Sequence, residues 1–177
     1  MYKRYFERHG STEMYWDDTN RNSEVRKNDS EKGFLSEATL VTILEEKIGT
    51  ENVDWQGDKG EADIQLFNEI NLEIKCRDTG TQRNLIIDEG KLDHSKVDLY
   101  IQTVLHREFL TDETVSLEVL DYISRTDALE ERIEIENGMY GYEDEEKYEV
   151  HPSHLGNFAT LVNTLDMYAT NEPTKII

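Results

Sequence analysis

The chain has a single cysteine, Cys76, only two prolines and no long apolar run among its 177 residues. One thiol excludes an intramolecular disulfide framework and any cysteine-rich zinc site. The opening residues, MYKRYFERHG, lack the apolar stretch of a signal peptide, and nothing approaches the roughly 20 apolar residues of a membrane-spanning helix. The expectation is a soluble cytoplasmic protein with no membrane partner. A Gly-rich phosphate loop of the Walker kind is missing, as is a Ser/His/Asp arrangement, a repeat, or a low-complexity tract beyond the acidic EDEE at 143–146.

Positive charge is also scarce. Lys and Arg number 19 against 39 Asp and Glu, a formal net charge of −20. Taken as a sum, this argues against a nucleic-acid partner, because phosphate binding draws on Lys and Arg. The distribution argues differently. Residues 1–32 carry seven basic and seven acidic side chains, 33–69 two and nine, 70–107 six and six, and 108–150 three and fifteen. The acidity therefore sits in two blocks, while 70–107 keeps its cations together with His94 and His106 and could meet DNA on one face. Heavy surface acidity also fits a halophilic, salt-loving organism, where carboxylates keep the surface hydrated. With 36% hydrophobic and 33% charged residues, the length suits one domain large enough to bury a core.

Residues 1–33 read as a polar N-terminal arm, with turn-prone groupings at 17–23 and 28–30 and a short helical turn at 2–8. Residues 34–177 read as one domain, with a core at 34–105 and C-terminal additions at 106–177. Leu35, Thr39, Leu40, Ile43, Leu44 and Ile48 recur at helical spacing, which predicts a helix over 37–48 with Ser36 as N-cap and Gly49 as stop. A short strand is expected near 52–56. A short helix or a strand–helix joint follows at 85–96, strands at 97–105 and 115–123, a helical turn or two at 126–132, a last short strand at 149–150 and a helix at 153–168.

Two runs between these carry the chemistry. EADIQLF (61–67) sets Ala62, Ile64 and Leu66 against Glu61, Asp63 and Gln65, and INLEIKCR (70–77) sets Ile70, Leu72, Ile74 and Cys76 against Asn71, Glu73, Lys75 and Arg77. Two alternating runs joined by turn residues read as a hairpin. Opposed residues share a face, so paired residue numbers must have an even sum here. A three-residue turn at 67–69 pairs Asp63 with Glu73; one at 68–70 pairs it with Lys75. Either register puts all three on one face at cross-strand Cβ distances of roughly 5 Å. Two carboxylates that close repel unless a cation lies between them, and a hard divalent ion with oxygen ligands suits them. The adjacent Lys75 could stabilise charge on a phosphate oxygen or orient a metal-activated water.

This constellation, EAD at 61–63 followed by EIK at 73–75, resembles the PD-(D/E)XK nuclease superfamily, which includes restriction endonucleases and Holliday-junction resolvases. Ala62 stands where the name-giving proline would be. The resemblance covers residues 34–105 and implies an α/β, restriction-endonuclease-like core in the order helix–strand–strand–strand–helix–strand, a mixed central sheet flanked by helices. It further implies that Asp63, Glu73 and the Ile74 carbonyl hold Mg²⁺ or Mn²⁺, that Lys75 serves the reaction, and that Glu37 on the preceding helix completes the catalytic set. The implied activity is metal-dependent hydrolysis of phosphodiester bonds, a DNA endonuclease, with pairing into a homodimer suggested because one site per chain must cut two strands. Glu-x-Lys also occurs at 45–47, 89–91 and 145–147, but only 73–75 has the apolar alternation, the hairpin partner and the upstream helix.

Plainer readings stand beside these. The Asp63/Glu73/Lys75 face could be a solvated sheet surface, whose ion pairs contribute ~0–1 kcal/mol. Glu37 could serve only the helix dipole. Lys91, His94 and Lys96 could touch phosphates or face water, Gln102 could support the site, and Tyr140, Tyr142 and Tyr148 could stack bases or pack the C-terminal additions. His151 and His154 lack carboxylate or cysteine spacing for a metal. A different class of function is a non-catalytic acidic DNA mimic, or a nuclease fold that has lost turnover and serves as a binding protein.

Overall fold

A computed structural model describes residues 2–7, 23–56, 62–78, 84–94, 96–106, 114–136 and 146–170. The chain order is β1 (Tyr2–Glu7), α1 (Ser23–Ile48), a 3-10 turn (Thr50–Asn52), β2 (Val53–Trp55), β3 (Ile64–Leu66), β4 (Ile70–Asp78), β5 (Leu85–Asp88) and α2 (Glu89–His94). It continues with β6 (Leu99–His106), β7 (Thr114–Ser124), α3 (Arg125–Glu131), β8 (Ile133–Glu134), β9 (Lys147–Val150), a 3-10 turn (Pro152–His154), β10 (Gly156–Asn157) and α4 (Phe158–Thr170). The architecture is α/β. The large sheet runs β1-β7-β6-β4-β3-β2, with β10 also on β7, and a small sheet runs β5-β9-β8. The large sheet is mixed: β4 and β6 are parallel, joined through β5 and α2, and the other neighbours are antiparallel.

Strand parity divides the large sheet into two faces. Ile64, Leu66, Leu72 and Ile101 turn to one face and pack with Leu40, Ile43, Leu44 and Ile48 of α1 and with Phe158, Leu161, Val162 and Leu165 of α4. Tyr100 and Ile123 turn to the other and pack with Leu85, Ile87, Leu92, Ala128 and Val150, so the small sheet, α2 and α3 cover it. Glu73 and Lys75 belong to this second face. Among the described residues no helix is long and apolar enough to cross a membrane.

Three local expectations are corrected. The segment expected as an irregular arm with a helical turn contains a strand: Tyr2–Glu7 pairs antiparallel with Thr114–Val119 of β7. A segment with two Tyr and a Phe is β-prone, and the open edge of β7 supplies its backbone partners. The helix expected from residue 37 starts at Ser23. Ser36 is accordingly no N-cap. It is buried inside α1, where its hydroxyl donates to the Lys32 carbonyl at 2.7 Å and accepts from the Thr103 hydroxyl at 3.0 Å. Serine can satisfy itself on the preceding turn as well as at a cap, so the residue type alone did not mark the boundary. The helix does end at Gly49, whose φ of 89° with ψ of 145° is a backbone conformation essentially reserved for glycine.

Candidate functional site

The hairpin takes the first of the two allowed registers. Ile64 stands opposite Leu72, Gln65 opposite Asn71 and Leu66 opposite Ile70, leaving Phe67, Asn68 and Glu69 as a three-residue turn. Phe67 and Asn68 both have positive φ, 53° and 58°, and the Glu69 amide closes the turn on the Leu66 carbonyl at 2.9 Å. The Asp63 amide donates to the Leu72 carbonyl at 2.9 Å although Ile64 already stands opposite Leu72. Asp63 therefore lies just before β3 and off its register, where the charge of Glu73 still acts on its carboxylate. β3 begins at Ile64, so among the described residues its ladder on β4 ends at Leu72. The Asp63 carboxylate meets the edge of β4 beyond it, accepting the Ile74 amide at 2.6 Å. Strand parity turns the Ile74 carbonyl to the same edge.

Glu73 is buried, its side chain 6% exposed, and both of its oxygens meet lysines: Oε1 lies 3.1 Å from Lys75 Nζ and Oε2 lies 3.2 Å from Lys91 Nζ. Lys75 also contacts Asp88 Oδ2 at 3.1 Å, and Asp88 Oδ1 accepts from Lys147, a buried residue of β9. The result is a chain of alternating charge, Lys91–Glu73–Lys75–Asp88–Lys147. On the α1 side Glu37 accepts the Trp55 indole N–H at 2.7 Å, and the Trp55 ring lies 5.6 Å from that of Phe34. Glu37 is near enough to act electrostatically on Asp63.

The electrostatics follow from this crowding. Burial, then the charge of Glu73, then that of Glu37 push the Asp63 pKa up to about 7, against the opposing Ile74 amide and Lys75. Burial lowers the Lys75 pKa, but the carboxylates of Glu73 and Asp88 outweigh it and hold the ammonium charged well above the usual lysine range. Burial likewise opposes the charge of Asp88, yet Lys75 and Lys147 overcome it and hold its pKa well below the usual carboxylate range.

Glu73, Glu37 and Lys75 thus all lie near enough for their charges to act on Asp63. Gln102 is buried and stands beside Lys75 in the parallel register of β4 and β6. Sequence reasoning gave Lys91 no firm place, and it missed Asp88 and Lys147. The first follows β5 by three residues, and the other two pair across β5 and β9. No local pattern announces a pairing of segments 59 residues apart, and the strand alternation of LIID (85–88) was the only available hint. Lys96 is exposed, and its backbone carbonyl accepts from Asn71 at 3.1 Å. Tyr148 packs under the Arg132 guanidinium at 4.7 Å and donates to Glu89 at 3.2 Å, a packing role. His151 accepts from the Ser153 amide at 3.3 Å as a turn cap, and His154 pairs with Glu131 at 3.0 Å. Tyr140, Tyr142 and the His94 side chain lie outside the described residues.

Among the described residues no group of three or more His, Cys, Asp and Glu side chains has the arrangement of a formed metal centre. The donor chemistry nevertheless fits a hard divalent cation. Asp63 and Glu73 are neighbouring oxygen donors, with the Ile74 carbonyl beside them, and burial followed by the charge of Glu73 raises the Asp63 pKa. No protein-family model, curated protein or solved structure matched the chain.

Proposed function

We propose that this chain is a metal-dependent nuclease of the PD-(D/E)XK type, a restriction-endonuclease-like domain that hydrolyses phosphodiester bonds in DNA. One observation carries the reading: the Asp63 carboxylate accepts the Ile74 amide and feels the charge of Glu73, and Lys75, two residues beyond Glu73, touches it at 3.1 Å. The order α1-β2-β3-β4-α2-β6, with β4 parallel to β6, supports it as the helix–strand–strand–strand–helix–strand arrangement of that superfamily, here with β5 diverted into a small sheet.

In this reading Asp63, Glu73 and the Ile74 carbonyl hold Mg²⁺ or Mn²⁺, and Glu37 adds negative charge from α1. When bound, the cation supplies Lewis-acid polarisation of the phosphate and lowers the pKa of a water. Lys75, held firmly protonated, is unsuited to act as a base at neutral pH. Its ammonium orients the attacking water and neutralises charge developing on the phosphate. Asp63 must ionise before it can serve as a ligand, and with a pKa of about 7 it does so within the physiological range. The small sheet holds Lys75 through Asp88, and α2 reaches Glu73 through Lys91.

A second reading, a nuclease fold without turnover, draws on the occupation of both Glu73 oxygens by lysines. Incubation of varied DNA substrates with Mg²⁺ or Mn²⁺, at low and high salt, separates the two. The nuclease reading expects cleavage by the wild type and none by a folded Lys75→Ala variant. Cleavage that survives in that variant at the wild-type rate places the reaction elsewhere.

A further inference from the structure

We propose that Lys91 is a displaceable internal counter-ion: its ammonium neutralises Glu73 in the metal-free protein and passes to a phosphate oxygen of the nucleic acid when a divalent cation binds. The proposal rests on the metal-dependent reading above. Glu73 is buried, and both of its oxygens are engaged, Oε1 by Lys75 at 3.1 Å and Oε2 by Lys91 at 3.2 Å. A buried carboxylate left without a partner is strongly unfavourable, so the metal-free site needs an internal cation. A metal ion between Asp63 and Glu73 must therefore displace an ammonium that is already there.

The two lysines are not equivalent. Lys75 is also held by Asp88 Oδ2 at 3.1 Å, and its side chain is 23% exposed. The Lys91 side chain is 40% exposed, on the short helix α2. That helix is anchored without the ammonium. The Tyr100 hydroxyl donates to the Lys91 carbonyl at 2.8 Å, and the Arg125 guanidinium donates to the carbonyls of Leu92 at 2.7 Å and Asp93 at 2.9 Å. The backbone stays while a flexible four-carbon stem moves its charge toward solvent, where a phosphate next to the metal would meet it. Lys75 keeps its place because Asp88 keeps it.

The test has a readout separate from cleavage. Binding of Mn²⁺ alone, followed through the EPR signal of the free ion, is compared for wild type, Lys91→Met and Lys91→Arg. Removing the competing ammonium is expected to tighten Mn²⁺ binding by about three- to tenfold, the scale of a partly exposed ion pair. Lys91→Arg is expected to bind as the wild type does. Equal or weaker binding by Lys91→Met overturns the proposal while leaving the nuclease reading intact. No Mn²⁺ binding by any of the three overturns the metal-dependent reading itself, and this proposal with it. In a second measurement, with Ca²⁺ holding the site, Lys91→Met is expected to lower the salt dependence of DNA binding by about one phosphate contact. An unchanged salt slope overturns the transfer to phosphate.

Discussion

Asp88 Oδ2 lies 3.1 Å from Lys75 Nζ, and the other oxygen of the same carboxylate accepts from Lys147. Lys75 comes from the large sheet and Lys147 from the small one, so Asp88 is the joint between them. Its charge is favoured in the fold, since Lys75 and Lys147 outweigh the cost of burial and depress its pKa. A depressed carboxylate contributes stability that is present above its ordinary pKa, 3.8, and lost as pH falls. Asp88→Asn should therefore lower stability at pH 7 by about 1 kcal/mol after solvent screening, and by progressively less as the pH is taken below 4. Denaturant unfolding at pH 7 and pH 3 checks this. The same variant should bring the Lys75 pKa down, read by NMR of the lysine side chains, because one of its two carboxylate partners is gone.

Asp63 has the opposite sign. Its pKa is raised from 3.8 to about 7, so folding favours the neutral form. Stability from this group is complete below pH 4 and falls as pH rises through 7. Asp63→Asn keeps an acceptor for the Ile74 amide and removes the charge, so it should be more stable than wild type at pH 8. The gain is expected to be about 2 to 4 kcal/mol, and it should vanish near pH 4. Thermal unfolding across that pH range measures it. The stabilised variant should have lost divalent-ion binding.

Glu37 acts on Asp63 through space. Glu37→Gln removes one of the like charges that raise the Asp63 pKa, so the Asp63 midpoint should fall below about 7 while burial and Glu73 keep it above the usual carboxylate range. Carboxyl NMR titration gives that midpoint directly. The Trp55 indole still finds an amide oxygen in the variant, so stability should change by less than about 1 kcal/mol. An unmoved Asp63 midpoint separates Glu37 from the site.

Gly49 tests the frame that carries Glu37. Its φ is 89°, and a Cβ there would stand 2.6 Å from a Glu51 carboxylate oxygen. Gly49→Ala should lower stability by about 1–3 kcal/mol, mostly from backbone conformation, because the Glu51 side chain can move aside. Thermal unfolding checks the loss.

The hairpin was legible in the sequence because period-two alternation and parity are local rules. With Ile64, Leu66, Leu72 and Ile74 required on one face, Asp63, Glu73 and Lys75 had to share the other, and only the turn length stayed open. The turn resolved toward Phe67 and Asn68 in left-handed conformation, which for Phe nothing local favours. The α1 boundary at Ser23 was obscured because 23–33 is polar and lacks the apolar spacing that marks a buried helical face. The strand at Tyr2–Glu7 depends on β7, more than a hundred residues away. Asp88 and Lys147 were illegible for the same reason: they pair across β5 and β9, 59 residues apart, and only then does Asp88 reach Lys75 of the large sheet.

The central claim is that a divalent cation binds between Asp63 and Glu73 and is served by Lys75. Anomalous diffraction from crystals soaked in Mn²⁺ locates such an ion directly. The expected result is one peak bridging the two carboxylates beside the Ile74 carbonyl, with the Lys75 ammonium still on Asp88. A peak elsewhere, or none at saturating Mn²⁺ above pH 7, contradicts it.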